Sequence, residues 1–308
     1  MTTKRGNIYA LIAFVWYIGF SRAFAAWVNA NQIKLPMWLK LSFSEILILT
    51  AIIVFLIIEK ANPLRCFALR ILNPLEVAES ILLGVCILPV TAVLNLLSQF
   101  FTTNKMTGTM EIVMQLPFYQ RFFFIAVIPA IVEEFACRGF FYHMYRKGGI
   151  LPASLMTALI FGLLHGNLNQ FCYAFAAGVL FCFFVEATAS LFTSMLSHMT
   201  INTVPLLLME AYNRAGLLET VQSSSGSGIS SIPMAGIIFA FIFHGSLAIG
   251  FGFLGYVLLK AMSKKAGRWE YFQREMKAGL HAKEGQQFFS IPLFIAILLA
   301  VIPIIQSI

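Results

Sequence analysis

The chain has 308 residues, of which 59% are hydrophobic and only 11% are charged. Soluble domains carry about 25% charged residues, so this composition excludes a water-soluble globular protein. The formal net charge of +8 does not indicate a nucleic-acid partner, because the basic residues lie in short segments between apolar runs and not on one folded face.

Long apolar runs recur along the whole chain. A membrane-spanning helix needs about 20 mainly apolar residues, whereas a membrane β-barrel needs a short alternation that this sequence lacks. We therefore expect an all-α fold, a polytopic membrane bundle of about eight or nine transmembrane helices that forms one integral membrane domain over residues 1–308. The candidate spans are 7–29, 38–59, 77–100, 118–145, 151–168, 170–187, 189–211, 233–260 and 289–307.

The lysine and arginine residues predict the orientation of this bundle. With the N-terminus inside, alternate loops place 14 of the 21 Lys and Arg residues in the cytoplasm and five outside, and Arg22 and Arg138 are intramembrane. The inside set is Lys4, Arg5, Lys60, Arg65, Arg70, Arg146, Lys147, Lys260, Lys264, Lys265, Arg268, Arg274, Lys277 and Lys283, and the outside set is Lys34, Lys40, Lys105, Arg121 and Arg214. Cytoplasmic loops carry an excess of positive charge, so we expect a cytoplasmic N-terminus, in the plasma membrane of a prokaryote.

The first span has an alternative interpretation as a signal peptide. Basic residues precede its apolar run, and residues 23–25 form an A-x-A-like cleavage pattern. Arg22 beside that pattern and the apolar residues that follow it favour a retained helix.

Two segments between spans have distinctive compositions. Residues 222–231 contain the tract SSSGSG, which predicts a flexible loop. Residues 261–288 combine basic residues with apolar ones at spacings of three and four, which predicts a cytoplasmic amphipathic helix on anionic membrane lipids. The apolar residues are Trp269, Phe272, Met276 and Leu280. A solvated basic loop is the alternative.

Residues 129–141, PAIVEEFACRGFF, place two adjacent carboxylates and an arginine inside the fourth span. Charge at this depth costs several kcal/mol unless it is paired or hydrated, so such a cluster indicates a functional site. Glu134 and Arg138 are four residues apart and can pair on one face of a helix. Glu133 has no local partner and is the candidate general base. The alternative is a group of charges that only packs helices together.

Three more polar residues lie in predicted spans, namely His165, His198 and Asn202. Counted from the inner surface, they lie about 21, 14 and 20 Å deep, and Glu133 lies about 18 Å deep. A carboxylate, two imidazoles and a carboxamide are therefore predicted to share one layer of the bundle.

This set of groups indicates hydrolysis of an amide by an activated water. A carboxylate and an imidazole can deprotonate the water, while a second imidazole and a carboxamide donate hydrogen bonds to the oxyanion. No GxSxG nucleophile motif is present. We expect no metal cofactor, but zinc held by Glu133, His165 and His198 is the alternative, although the sequence has no HExxH motif.

Three short motifs follow one another in this part of the chain. They are E-E-x-x-x-R-G at 133–139, F-x-x-x-H at 161–165 and H-x-x-x-N at 198–202. Together they resemble the motifs of the CaaX-protease and bacteriocin-processing (CPBP) family, the intramembrane glutamic endopeptidases related to the Ras-converting CaaX endopeptidase. The resemblance covers about residues 118–211, which we take as the catalytic core. Cys137 stands where the family usually has a bulky apolar residue.

The resemblance implies an intramembrane endopeptidase that acts on a hydrophobic or lipidated peptide. It implies Glu133 as the base, His165 as its partner on the water, His198 and Asn202 as the oxyanion site, and Glu134 and Arg138 as structural support. Two other functions remain open on the sequence alone. One is a proton-coupled membrane transporter, and the other is a catalytically silent immunity or scaffold protein.

Overall fold

The computed structural model describes residues 2–102, 113–218, 232–281 and 286–306 and is a bundle of α-helices. Within these residues no strand forms, and one isolated bridge joins Leu69 to Ser190. In chain order the helices are α1 (Thr3–Ala30), α2 (Met37–Ile58), α3 (Pro63–Cys66), α4 (Pro74–Ser98), α5 (residues 118–145), α6 (Ile150–Leu164), α7 (Leu168–Thr188), α8 (Leu191–Arg214), α9 (Met234–Lys265), α10 (Trp269–Lys277) and α11 (Ile291–Ile305). The expected all-α membrane bundle is confirmed. The loop at 222–231, Lys105 and Lys283 lie outside the described residues.

Each predicted span corresponds to a helix. The helices long and apolar enough to cross a membrane are α1, α2, α4, α7, α8 and α9, while α6 and α11 are apolar but have 15 residues each. The predicted fifth span, 151–168, is too long, because α6 ends at Leu164. Gly166, with a φ of 65°, ends the helix, and Asn167 caps the start of α7.

Ion pairs connect the helix termini at one end of the bundle, which we call the basic end. They join α1 to α2, α4 to α9, and the α5–α6 turn to α7. The pairs are Arg5–Glu59, Lys265–Glu79 and Arg146–Glu186, and Arg268 also pairs with Glu186. A hydrogen bond from Tyr9 and the charge of Arg5 lower the pKa of Glu59. The opposite end carries the pair Arg121–Glu210.

Helix α5 lies in the middle of the bundle, where segments of it contact α1, α2, α6, α7 and α8. Lipid tails are as apolar as side chains, so helices in a membrane associate through close packing of small residues. Such a contact joins α6 to α7, where a Cβ on Gly178 would lie 3.0 Å from Cβ of Ala158. This close approach brings α7 against the charged residues of α5.

The segment after α9 contains the amphipathic helix α10. Its residues Trp269, Phe272 and Met276 pack with Ile150 and Ala187 of the bundle, and Phe272 is buried. The apolar stripe therefore packs against the bundle. Leu280, which lies beyond the helix, is exposed.

Candidate active site

Helix α5 departs from regular α-helical geometry on both sides of its two carboxylates. Residues Phe122–Val127 and Phe135–Phe141 are π-helical, and Ile128–Glu134 between them is α-helical. Pro129 has no N–H to donate to the preceding turn, which agrees with a disturbed ladder there. Because π-turns are frequent at functional sites, the irregularity itself marks this part of the chain.

The ion pair expected from the spacing of Glu134 and Arg138 is present. Nη1 of Arg138 lies 2.8 Å from Oε1 of Glu134, and both side chains are fully buried. Nδ1 of His198 lies 3.0 Å from the same oxygen. Since a carboxylate oxygen accepts hydrogen bonds, Nδ1 is the donor. Glu134 thus fixes the orientation of the His198 ring and leaves Nε2 as the nitrogen that faces away from it.

The second nitrogen of His198 faces Glu133. Nε2 lies 3.5 Å from Oε2 of Glu133, whose side chain is 14% exposed. One imidazole on α8 therefore touches both carboxylates of α5. The sequence interpretation gave His165 as the partner of Glu133 on the water, and the structure adds His198 as the imidazole that lies against Glu133.

Two phenylalanine rings enclose the charged groups. The guanidinium of Arg138 lies 4.5 Å from the ring centroid of Phe161 and 5.0 Å from that of Phe181, which places a cation against two aromatic faces. His198 stacks on Phe181 at 5.2 Å, and both His165 and His198 approach Phe161 edge to face. The ring of Phe161 therefore contacts the rings of both histidines.

His165 lies in the turn after α6 and not inside a helix. Its Nδ1 is 2.9 Å from the carbonyl oxygen of Phe161, and a carbonyl only accepts, so Nδ1 donates and the Nε2 of the neutral ring is free to accept. A cavity of about 200 Å³ lies beside it, lined also by Tyr17 and Arg22. Because α6 rises only about 22 Å, less than the thickness of the bilayer core, we expect this turn to lie within the membrane, where irregular backbone is tolerated if it lines a cavity.

Asn202 lies one turn after His198 on α8. Its side chain is half-buried, and it makes no hydrogen bond with any residue that the structure describes. The carboxamide is therefore free to donate to a ligand.

Glu45 on α2 is a carboxylate that the sequence interpretation missed. It is 6% exposed, and its Oε2 is buried without a hydrogen-bond partner among the described residues. It lies close enough to Glu133 for the two charges to repel each other. The signal that could have found it is the one used for Glu133, an ionisable residue in the middle of an apolar span.

The alternative zinc site would be formed by Glu133, His165 and His198. No group of three His, Cys, Asp or Glu side chains among the described residues could hold a metal ion. We therefore derive no catalytic step through a metal.

Gly139 of the first motif allows a close contact beside the site. A Cβ at this position would lie 2.5 Å from the ring of Phe67, a distance that side chains do not adopt. We expect Gly139→Ala to destabilise the protein by about 1–3 kcal/mol through overpacking, measured as a lower midpoint of thermal unfolding in detergent.

Gly245→Ala on α9 is the matched control, because no atom lies within 4 Å of its added Cβ. It should leave the midpoint unchanged or raise it slightly, since alanine favours a helix over glycine. Equal midpoints for the Gly139→Ala variant and the unmodified protein would contradict the steric argument.

The fold and this cluster together define a class of protein, a polytopic membrane bundle with a buried carboxylate–imidazole site. Residues 115–204 match the Rce1-like family model, whose description is type II CAAX prenyl endopeptidase Rce1-like. This segment contains all six candidate site residues, and over it the chain is similar to the CaaX-protease family. No curated protein and no solved structure matches the chain.

Proposed function

We propose that this protein is an intramembrane endopeptidase that hydrolyses a peptide bond with a water activated by Glu133. The observation that carries the proposal is the position of His198, which touches Glu133 and Glu134 at once inside the segment that matches the family. A histidine in contact with one carboxylate alone would suit a packing role. His198 is oriented by the carboxylate of Glu134 and directs its other ring nitrogen at the carboxylate of Glu133, which is an arrangement for proton transfer.

In the proposed reaction Glu133 accepts a proton from the water, and the water oxygen attacks the carbonyl carbon of the peptide. The resulting oxyanion receives hydrogen bonds from the Asn202 amide and from Nε2 of His198 when that nitrogen carries a proton. Glu133 then returns the proton to the amide nitrogen as the C–N bond breaks. His165 accepts a hydrogen bond from the same water through its Nε2.

Glu134 and Arg138 are proposed to act through His198. Arg138 neutralises Glu134 in a site without solvent, and Glu134 in turn holds Nδ1–H of His198. Fixing one nitrogen of an imidazole determines the direction of the other, so this pair sets the position of the group that meets the oxyanion.

The proposed substrate is a hydrophobic, lipidated or membrane-associated peptide, because the site lies inside a bundle that lipids surround. The proposed orientation places the basic end and the N-terminus in the cytoplasm of a prokaryote, in agreement with the excess of positive charge on that side. The reaction is proposed to need no metal.

Detection of a peptide product tests this proposal. Purified protein in liposomes is mixed with lipid-anchored peptides in water enriched in ¹⁸O, and mass spectrometry is expected to find a cleaved peptide with one ¹⁸O in its new carboxyl group. A proton-coupled transporter would instead give solute flux that depends on a proton gradient and no new peptide. Activity that stops on removal of stoichiometric zinc, and returns with zinc, would overturn the metal-free mechanism.

A further inference from the structure

A larger cavity lies on another side of α7, away from the carboxylate–imidazole cluster. Its volume is about 530 Å³, and helices α4, α7, α9 and α10 form its walls. On α7, Phe181 stacks on His198, whereas Leu180 and Phe183 line this cavity. We call it the α9–α10 groove. No residue of the proposed catalytic site lines it.

The groove is apolar and deep. Its wall includes Leu83 and Ile87 from α4 and Phe251 and Leu259 from α9. The lining residues of α9 run from Phe251 to Leu259, which corresponds to a rise of about 12 Å. The hydrocarbon of one leaflet is about 15 Å thick, half of the bilayer core. The groove therefore follows most of the depth of one leaflet and can hold the greater part of a lipid chain.

Positive charge lies at the mouth of the groove, at the basic end of the bundle. Lys277 of α10 lines the groove, and Nζ of Lys260 lies 5.7 Å from the ring centroid of Trp269, another lining residue. Neither lysine forms an ion pair within the described part of the chain. Among the acidic residues at this end, Glu79 pairs with Lys265 and Glu186 pairs with Arg146 and Arg268.

Aromatic residues lie beside these cations. Tyr256 and Trp269 both line the groove, and their rings are in contact, with centroids 6.1 Å apart. Tryptophan and tyrosine favour the level of the lipid headgroups, where one part of the ring is apolar and another is wet. Their position marks the height at which a headgroup meets the lysines.

We propose that the α9–α10 groove binds an anionic phospholipid, with an acyl chain in the groove and the phosphate headgroup against Lys260 and Lys277. An uncharged groove would take any lipid of the leaflet, but two lysines without acidic partners favour an anionic headgroup. This site goes beyond the proposed protease function and does not depend on it.

Trp269 is a reporter for the occupant, because bromine on an acyl chain quenches a tryptophan that it contacts. The chain has four tryptophans, and replacing Trp16, Trp27 and Trp38 by phenylalanine leaves Trp269 alone. The variant is reconstituted in phosphatidylcholine vesicles that contain the same low fraction of brominated phosphatidylglycerol or brominated phosphatidylcholine. We expect the brominated anionic lipid to bind more tightly, by about fivefold for each lysine.

Two pairs of variants separate the headgroup from the chain. The double variant Lys260→Gln, Lys277→Gln should remove the preference for the anionic lipid. The double variant Lys147→Gln, Lys264→Gln removes the same charge from the same end of the bundle but outside the groove, so the preference should remain. Gly252→Phe should fill the groove and prevent quenching by either lipid, since a Cβ there meets no atom within 4 Å. Gly250→Phe is the control, because a Cβ there also meets no atom within 4 Å but the residue does not line the groove. It should leave the quenching by both lipids unchanged.

Lys260 lies beside Trp269, so replacing it can change the intrinsic fluorescence of the tryptophan. Quenching is therefore measured for each variant as the ratio of its fluorescence with brominated lipid to that without. Thermal unfolding shows that each variant is folded. Equal quenching by the two lipids, or a preference that survives loss of both lysines, would overturn the proposal. So would absence of quenching by either lipid together with a dimer in light scattering, since a second copy of the chain would then cover the groove.

Discussion

Glu133→Gln is expected to lower the rate of peptide hydrolysis by about 10²–10⁴-fold, the usual contribution of a general base. Glutamine has nearly the same shape as glutamate and keeps its hydrogen-bonding capacity, but it cannot accept the proton of the water. Glu133 is not part of the ion pair with Arg138, which is formed by Glu134, so the fold should be retained. Initial rates on a membrane peptide and the thermal midpoint measure the two effects separately.

Glu270→Gln is the control for this prediction, because it makes the same chemical change on an exposed residue of α10. It should leave the rate unchanged. Full activity in the Glu133→Gln variant would mean that another group is the base. Glu45 would then be the first candidate, since it is a buried carboxylate close to this position that, unlike Glu134, has no ion pair within the described residues.

The part of the site that the sequence predicts is the part that depends on local spacing. Glu134 and Arg138 are neighbours on any helix that contains them, and the ion pair does not depend on how α5 is turned in the bundle. The contact of His198 with both carboxylates is different. It depends on the rotation of α8 relative to α5, which an estimate of depth along each helix does not give.

His165 shows a second limit of the sequence interpretation. The fifth span was extended through residue 168, which placed His165 inside a helix, but α6 ends at Leu164. The signals for this end are present in the sequence as Gly166 and Asn167, a usual helix stop followed by a usual helix cap. The apolar composition of the surrounding residues outweighed these signals in the assignment of the span.

The membrane helices were predictable because their composition alone requires a hydrophobic surrounding. The π-helical segments of α5 were not, since Pro129 disturbs only one of them and the other, Phe135–Phe141, has no proline. The packing of α10 was also missed. An amphipathic stripe predicts that a helix has an apolar face, but it does not distinguish a lipid surface from the side of a neighbouring bundle.

Arg138→Met is expected to destabilise the protein by about 3–5 kcal/mol, because it leaves the carboxylate of Glu134 buried without its partner. Methionine fills much of the space between Phe161 and Phe181, so the loss comes mainly from the charge and not from a cavity. The change also removes the hydrogen bond from Nη2 to the carbonyl oxygen of Gly178. Chemical unfolding in detergent measures the loss, and a variant as stable as the unmodified protein would contradict it.

The double variant Arg138→Met, Glu134→Gln separates support of the fold from control of His198. Removing both charges takes away the uncompensated carboxylate, so stability should recover by more than the two single changes predict, with a coupling of about 0.5–3 kcal/mol. Hydrolysis should not recover, because His198 then faces a neutral amide at Nδ1 in place of a carboxylate. If activity returned with stability, Glu134 and Arg138 would only brace α5. If stability returned alone, the position of His198 would depend on the charge of Glu134, as the proposed mechanism requires.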